Sequence, residues 1–373
     1  MKALRDSDFP FRAFYFFLYL LANTFHSKQG GNALKTIVRI TSTALFFVFV
    51  AATAIAQQAA TVPFAQREVK FENGIIGKPL VFESANPRNF EEVIGKAGMR
   101  LVKLDGQLFT PAGPGLHAVV ILTPGSFGAG AVLKTAERLT SVGLAVYVLD
   151  PFAGRGIKDT VSDQSQLTWA ASVYDVLAAA RMVATQPGID GQRMGAMGNS
   201  RGGLAVLLAA HEQMTRAVLG EGKSFKAVLV GWPFCGFQFE HAITAPTVVR
   251  FLVGDSDNWV SPVQCQGQAA AMRANNPQVS IRFFKEAYHA FGSGLPLREI
   301  PNAQKAYNAP ITYINDQGSF LDLYTGQPIP GNDFAPMLAP WKMQGAVTIG
   351  SKPGQTEAFV EDMLGFFKSQ LKP

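Results

Sequence analysis

Cysteine, histidine and charge are all scarce in this sequence. Its 373 residues include two cysteines and five histidines, and charged side chains make up 16%. Each scarcity excludes something. Cys235 and Cys265 lack a C-x-x-C spacing and the histidines are scattered, so neither a metal nor any other cofactor is expected. Most of the formal charge of +6 belongs to residues 1–56, which hold six basic and two acidic side chains. The remainder is nearly neutral and has no basic cluster interleaved with aromatics, which excludes a footprint for nucleic acid or an anionic membrane. Repeats and low-complexity tracts are absent too.

Apolar residues, by contrast, make up 48%, enough for a large core. Two apolar runs lie near the N-terminus: "FRAFYFFLYLLA" at 11–22 and, after Lys35 and Arg39, "ALFFVFV" leading into Ala54, Ile55 and Ala56. Each is shorter than the roughly 20 residues of a spanning helix. The second reads as a secretory signal peptide cut before Gln57, with a membrane anchor as the alternative. Residues 1–56 are then a leader and 57–373 a single exported domain, periplasmic or secreted, with no membrane span left after cleavage. Export would place Cys235 and Cys265 where disulfides persist, and their even number fits one bridge; two buried free thiols are the alternative.

Strand and helix patterns alternate from residue 67 onward. "REVKFENG" and "MRLVKLDGQLFTP" are half-polar and predict edge hairpins. Continuous apolar runs follow at 117–124, 144–150, 193–198, 225–232, 246–254 and 279–287, as in strands buried on both faces of a parallel sheet. Helical patterns fall at 131–142, 166–185, 201–218, 262–275 and in the C-terminal "TEAFVEDMLGFFKSQL". The alternation predicts a doubly wound α/β domain. Residues 296–350, rich in Pro, Gly, Asn and Tyr, predict an irregular excursion over the sheet, part of a substrate mouth.

Two strand-to-helix junctions are glycine-rich. In "TPGSFGAGAVL" the glycines 125, 128 and 130 run G-x-x-G-x-G, the wrong order for a dinucleotide cradle, and Tyr174 has Ala178 rather than a lysine four residues on. A nicotinamide oxidoreductase is therefore disfavoured. In "MGNSRGG" Gly198, Ser200 and Gly202 match G-x-S-x-G between a strand pattern and a helix pattern, the setting of a nucleophile elbow. Ser200 could also be no more than a helix cap.

A serine hydroxyl needs an imidazole to take its proton and a carboxylate to orient that imidazole. In this context they follow in the order serine, acid, histidine. His211 falls within the helix that Ser200 starts, where it should face solvent, and His241 comes before the next strand, too early. His289, in "EAYHAFGSG", is the candidate base. "FLVGDSDNWV" offers Asp255 or Asp257 as the acid, with Asp257 preferred because it sits deeper in the turn. The oxyanion hole is expected from the amide of Arg201 and that of Ser126 or Phe127. Trp232 and Trp259, on the loops that a Cys235–Cys265 bridge would join, are candidates for contacting substrate.

With these residues placed, the chain resembles the dienelactone hydrolase family of α/β hydrolases. The segments that carry the resemblance are "VVILTPGSFG", "VYVLDPFAGRG", "GIDGQRMGAMGNSRGG", "VRFLVGDSDNWVSP" and "EAYHAF", within about 117–291. The resemblance implies a mostly parallel sheet of about eight strands and a hydrolase of small carboxylic esters or lactones. The family's namesake members use a cysteine where this chain has Ser200. Looser similarity extends to hydrolases of the prolyl-oligopeptidase and acetyl-xylan-esterase types. A serine peptidase and a non-catalytic binding module on the same fold remain open, and the oligomeric state is not legible.

Overall fold

The computed structural model describes residues 63–244, 246–329 and 343–373, all within one compact unit, Thr61–Pro373. The expected leader and its cleavage site lie outside the described residues. In chain order the elements are β1 (Lys78–Asn86), α1 (Phe90–Gly95), β2 (Arg100–Phe109), β3 (His117–Thr123), α2 (Leu133–Thr140), β4 (Ala145–Asp150), α3 (Trp169–Val183), β5 (Ile189–Asn199), α4 (Arg201–Ala209), α5 (Glu212–Val218), β6 (Ala227–Gly231), β7 (Phe237–Phe239), β8 (Val248–Gly254), α6 (Pro262–Asn275), β9 (Val279–Phe284), β10 (Arg298–Lys305), β11 (Thr312–Ile314), β12 (Met343–Ile349) and α7 (Gln355–Leu371).

Eight strands form one sheet in the order β1-β2-β4-β3-β5-β6-β8-β9. The β1–β2 and β2–β4 pairs are antiparallel, and every pair from β4 to β9 is parallel. The continuous apolar runs have a physical cause. In β3, Val119 and Ile121 pack into one core with α3, α4 and α6, while Val120 and Leu122 pack into a second core with α2 and α7. Because helices cover both faces, alternation of side chains gives no polar positions along the strand.

Four expectations need correction. "REVKFENG" contributes only an isolated bridge between Lys70 and Ile76, and the edge partner of β2 is β1, a strand the sequence reading did not single out. The helix expected over 201–218 is two, α4 and α5, broken at Ala210–His211. His211 does not face solvent: it is 2% exposed, caps α5 through Nδ1 and stacks on Phe239 with centroids 3.9 Å apart. The stretch 296–350 is not irregular throughout, since β10 and β12 pair antiparallel and β11 pairs with β7. Residues 330–342 lie outside the described residues.

Candidate active site

Every side chain expected at the site sits at or beyond the C-terminal end of a strand in the parallel part of the sheet. Ligands of open α/β sheets bind there. Thr123 pairs with Gly198, so the loops leaving β3 and β5 run side by side. A Cβ added at Gly125 would stand 3.2 Å from the Ser200 Cβ, which measures how closely the two loops approach.

Ser200 occupies φ 56° and ψ −120°, a conformation that a residue with a side chain adopts only when its surroundings impose it. Glycines on either side allow the turn. A Cβ at Gly198 would overlap the Gly202 carbonyl, and one at Gly202 would overlap the Pro124 carbonyl. The turn's own backbone is anchored, with the Ser200 amide donating to the Gly231 carbonyl at 2.9 Å. Trp232 (φ 37°) and Ala290 (φ 60°), which border the same cavity as Ser200, are likewise left-handed. Three of the six non-glycine residues at positive φ among the described residues thus border one opening.

His289 Nε2 lies 2.9 Å from Ser200 Oγ, and Nδ1 lies 2.7 Å from Asp257 Oδ2. An ionised carboxylate only accepts, so the imidazole proton sits on Nδ1 and the Nε2 lone pair faces the serine hydroxyl. The second carboxylate oxygen of Asp257 accepts the amides of Trp259 and Val260 at 2.8 and 3.1 Å. Asp257 and His289 are each 2% exposed, whereas Ser200 is partly open to solvent. The Trp259 ring packs on His289 with centroids 4.8 Å apart, and its Nε1 donates to the Gln304 carbonyl. The arrangement can pass a proton from Ser200 to His289 and hold the resulting imidazolium.

Asp255 is exposed and, among the described residues, accepts from Ser256 Oγ beside it, and His241, 61% exposed, pairs with Asp316; neither reaches Ser200. Arg201 opens α4, so its amide belongs to the first turn, which has no intrahelical acceptor. The amides of Ser126 and Phe127 likewise meet no acceptor among the described residues. These are the donors expected of an oxyanion hole. Cys235 and Cys265 form a disulfide with Cα atoms 5.0 Å apart. Among the described residues, no group of three or more His, Cys, Asp or Glu is placed to hold a metal ion.

The sequence reading used only the backbone of Arg201. Its guanidinium is fully buried, stacked 4.1 Å over Trp169, and donates to Gln164 Oε1 at 2.9 Å and to the Leu167 carbonyl. Gln164 Nε2 in turn donates to Ser126 Oγ at 2.9 Å, so the residue after the serine is wired to the loop beyond β3. Burial, with the nearby charge of Arg155, lowers the Arg201 pKa to about 9, partly offset by Asp175. A lone cation heading the apolar "RGGLAVLLAA" was the available signal. Gln164 and Gln304 gave none.

A model of the dienelactone hydrolase family matches residues 104–312. Among solved structures, a dienelactone hydrolase-like promiscuous phosphotriesterase from metagenomic libraries is similar at 15% identity and a TM-score of 0.48, over 78% of this chain and 98% of that one. Esterase 2 of Thermogutta terrifontis, in its apo form, is similar at 20% identity and a TM-score of 0.40, over 51% of this chain and 81% of that one. No curated protein shows a significant match.

Proposed function

This chain belongs to the dienelactone hydrolase family, and from that premise we propose that it is a serine hydrolase that cleaves carboxylic esters or lactones through an acyl-enzyme. The observation that carries the reading is the contact of His289 Nε2 with the hydroxyl of a serine held at positive φ. Ser200 is the nucleophile, His289 the general base and then the general acid, and Asp257 the group that orients and charge-balances the imidazole. The amides of Arg201 and of Ser126 or Phe127 receive the oxyanion. Trp232 and Trp259 flank the bound ester. A fluorophosphonate should label Ser200 and no other serine, and Ser200→Ala should lower kcat on the order of 10⁴-fold. A label elsewhere, or a variant with near wild-type turnover, overturns the assignment.

Export belongs to the same reading. The support is the Cys235–Cys265 bridge, a bond that persists in oxidising compartments, together with the signal-peptide pattern before Gln57. Among the described residues no helix is long and apolar enough to cross a membrane. The intact mass of protein from its own host tests the proposal: a chain starting at Gln57 with both thiols oxidised is expected. A full-length chain with two alkylatable thiols would rule it out.

A further inference from the structure

Two cavities meet at Ser200, and they differ in size, in lining and in their distance from the base. The larger, about 300 Å³, is bordered by His289 and by Val132, Leu133, Trp232, Leu295 and Ile349. The smaller, about 40 Å³, lies on the other side among Gln164, Trp169, Arg201, Phe234 and Gln304, and His289 does not border it. Ser126, Ser200 and Trp259 line both.

We infer that the two cavities divide the substrate at the scissile bond, the small one taking a two- or three-carbon acyl group and the large one a bulky, mainly apolar alcohol. The inference rests on the serine-hydrolase reading and follows from where the proton must go. Ser200 Oγ bonds to the ester carbonyl carbon as its proton passes to His289 Nε2, and the carbonyl electrons move onto the oxyanion. When the carbonyl re-forms, the bond to the alkoxy oxygen breaks and His289 returns that proton to the departing oxygen. The alkoxy oxygen must therefore lie within hydrogen-bond reach of Nε2, which puts the alcohol in the cavity that His289 borders. The acyl group stays on Ser200 and must occupy the other.

Size then sets the chemistry. A water-sized group needs about 10–15 Å³ of such space, so the acyl side, at about 40 Å³, holds about three or four. Its wall is braced: Arg201 stacks on Trp169 and is bonded to Gln164, and Trp169 packs on Phe234 with centroids 5.5 Å apart. A longer acyl chain would have to displace that packing or leave the cavity past the partly exposed Lys305, Ala306 and Ala309, forfeiting the contacts of the wall. On the alcohol side Leu295 is 46% exposed and marks the open end, so length there is tolerated.

Two ester series test this with the purified protein. Among p-nitrophenyl esters, kcat/KM should fall at least about tenfold from acetyl or propionyl to hexanoyl. Among acetates of methanol, butanol and 2-phenylethanol, it should rise with alcohol size. Phe234→Ala should raise the hexanoyl-to-acetyl ratio. The exposed Leu295→Trp should lower the 2-phenylethyl-to-methyl ratio, and it decides the matter if Phe234→Ala does not fold. Equal rates across the acyl series, or a preference for long acyl and small alcohol, overturn the division while leaving the serine mechanism intact. No turnover in either series together with no label on Ser200 overturns the hydrolase reading and the division with it.

Discussion

His289 is held at both ring nitrogens, and the two contacts impose one tautomer: Nδ1 must donate to Asp257 for Nε2 to be free for Ser200. Asp257→Asn removes the charge that favours imidazolium and offers an amide that can donate to Nδ1, trapping the wrong tautomer. Its kcat should drop on the order of 10⁴-fold with the fold intact by circular dichroism, and His289→Ala should be as severe. Asp255→Asn and His241→Ala should remain within a few-fold of wild type, since both side chains lie in solvent. A larger loss from Asp255→Asn would move the acid role there. Ser200, Asp257 and His289 could be singled out in the sequence because residue type, flanking glycines and chain order each narrow the choice. Gln164 and Gln304 could not, because an amide in a loop has no period and no motif until the fold brings Arg201 and Ser126 to it.

The break between α4 and α5 shows what elements conceal. His211 Nδ1 accepts the Gln213 amide at 3.3 Å while Nε2 donates to the His241 carbonyl at 2.7 Å, an arrangement open only to neutral imidazole. Burial lowers the His211 pKa, outweighing the His241 carbonyl and the nearby Asp316 and Glu212. The unfolded chain therefore binds the proton more readily, so the stability present above pH about 6.5 is lost as pH falls towards the folded value. His211→Asn keeps a capping side chain but does not titrate. Urea titrations at pH 7.5 and 5.0 should show wild type losing more stability than this variant. Equal losses would remove His211 from the acid response. Strand β10 escaped detection for a different reason: Pro301 interrupts the pattern, and the ladder accommodates it with a register shift between Ile300 and Ala303. Strand β1 escaped because it is an edge strand with mixed exposure, Val81 being largely open to solvent.

At the scale of the molecule the parallel sheet was legible, because strands covered on both sides leave continuous apolar runs, while the second small ladder, β10–β12, joins segments too polar to announce themselves. The Cys235–Cys265 bridge closes a loop of 30 residues around β8 and ties the segment after β6 to α6, just past the turn that holds Asp257. Constraint of the unfolded chain by such a loop is worth about 3–4 kcal/mol. The Cys235→Ala and Cys265→Ala double variant should lose an amount of that order in urea unfolding, and an unchanged midpoint would show that the bridge adds nothing to stability. The order of the strands has a further effect during synthesis. Ser200 precedes His289, the imidazole it contacts, by 89 residues, and the His289 carbonyl accepts the Gly350 amide, next to the helix that seals the opposite face. During synthesis from the N-terminus, Ser200 therefore emerges long before the imidazole it contacts and the segment whose Gly350 amide holds that imidazole's backbone.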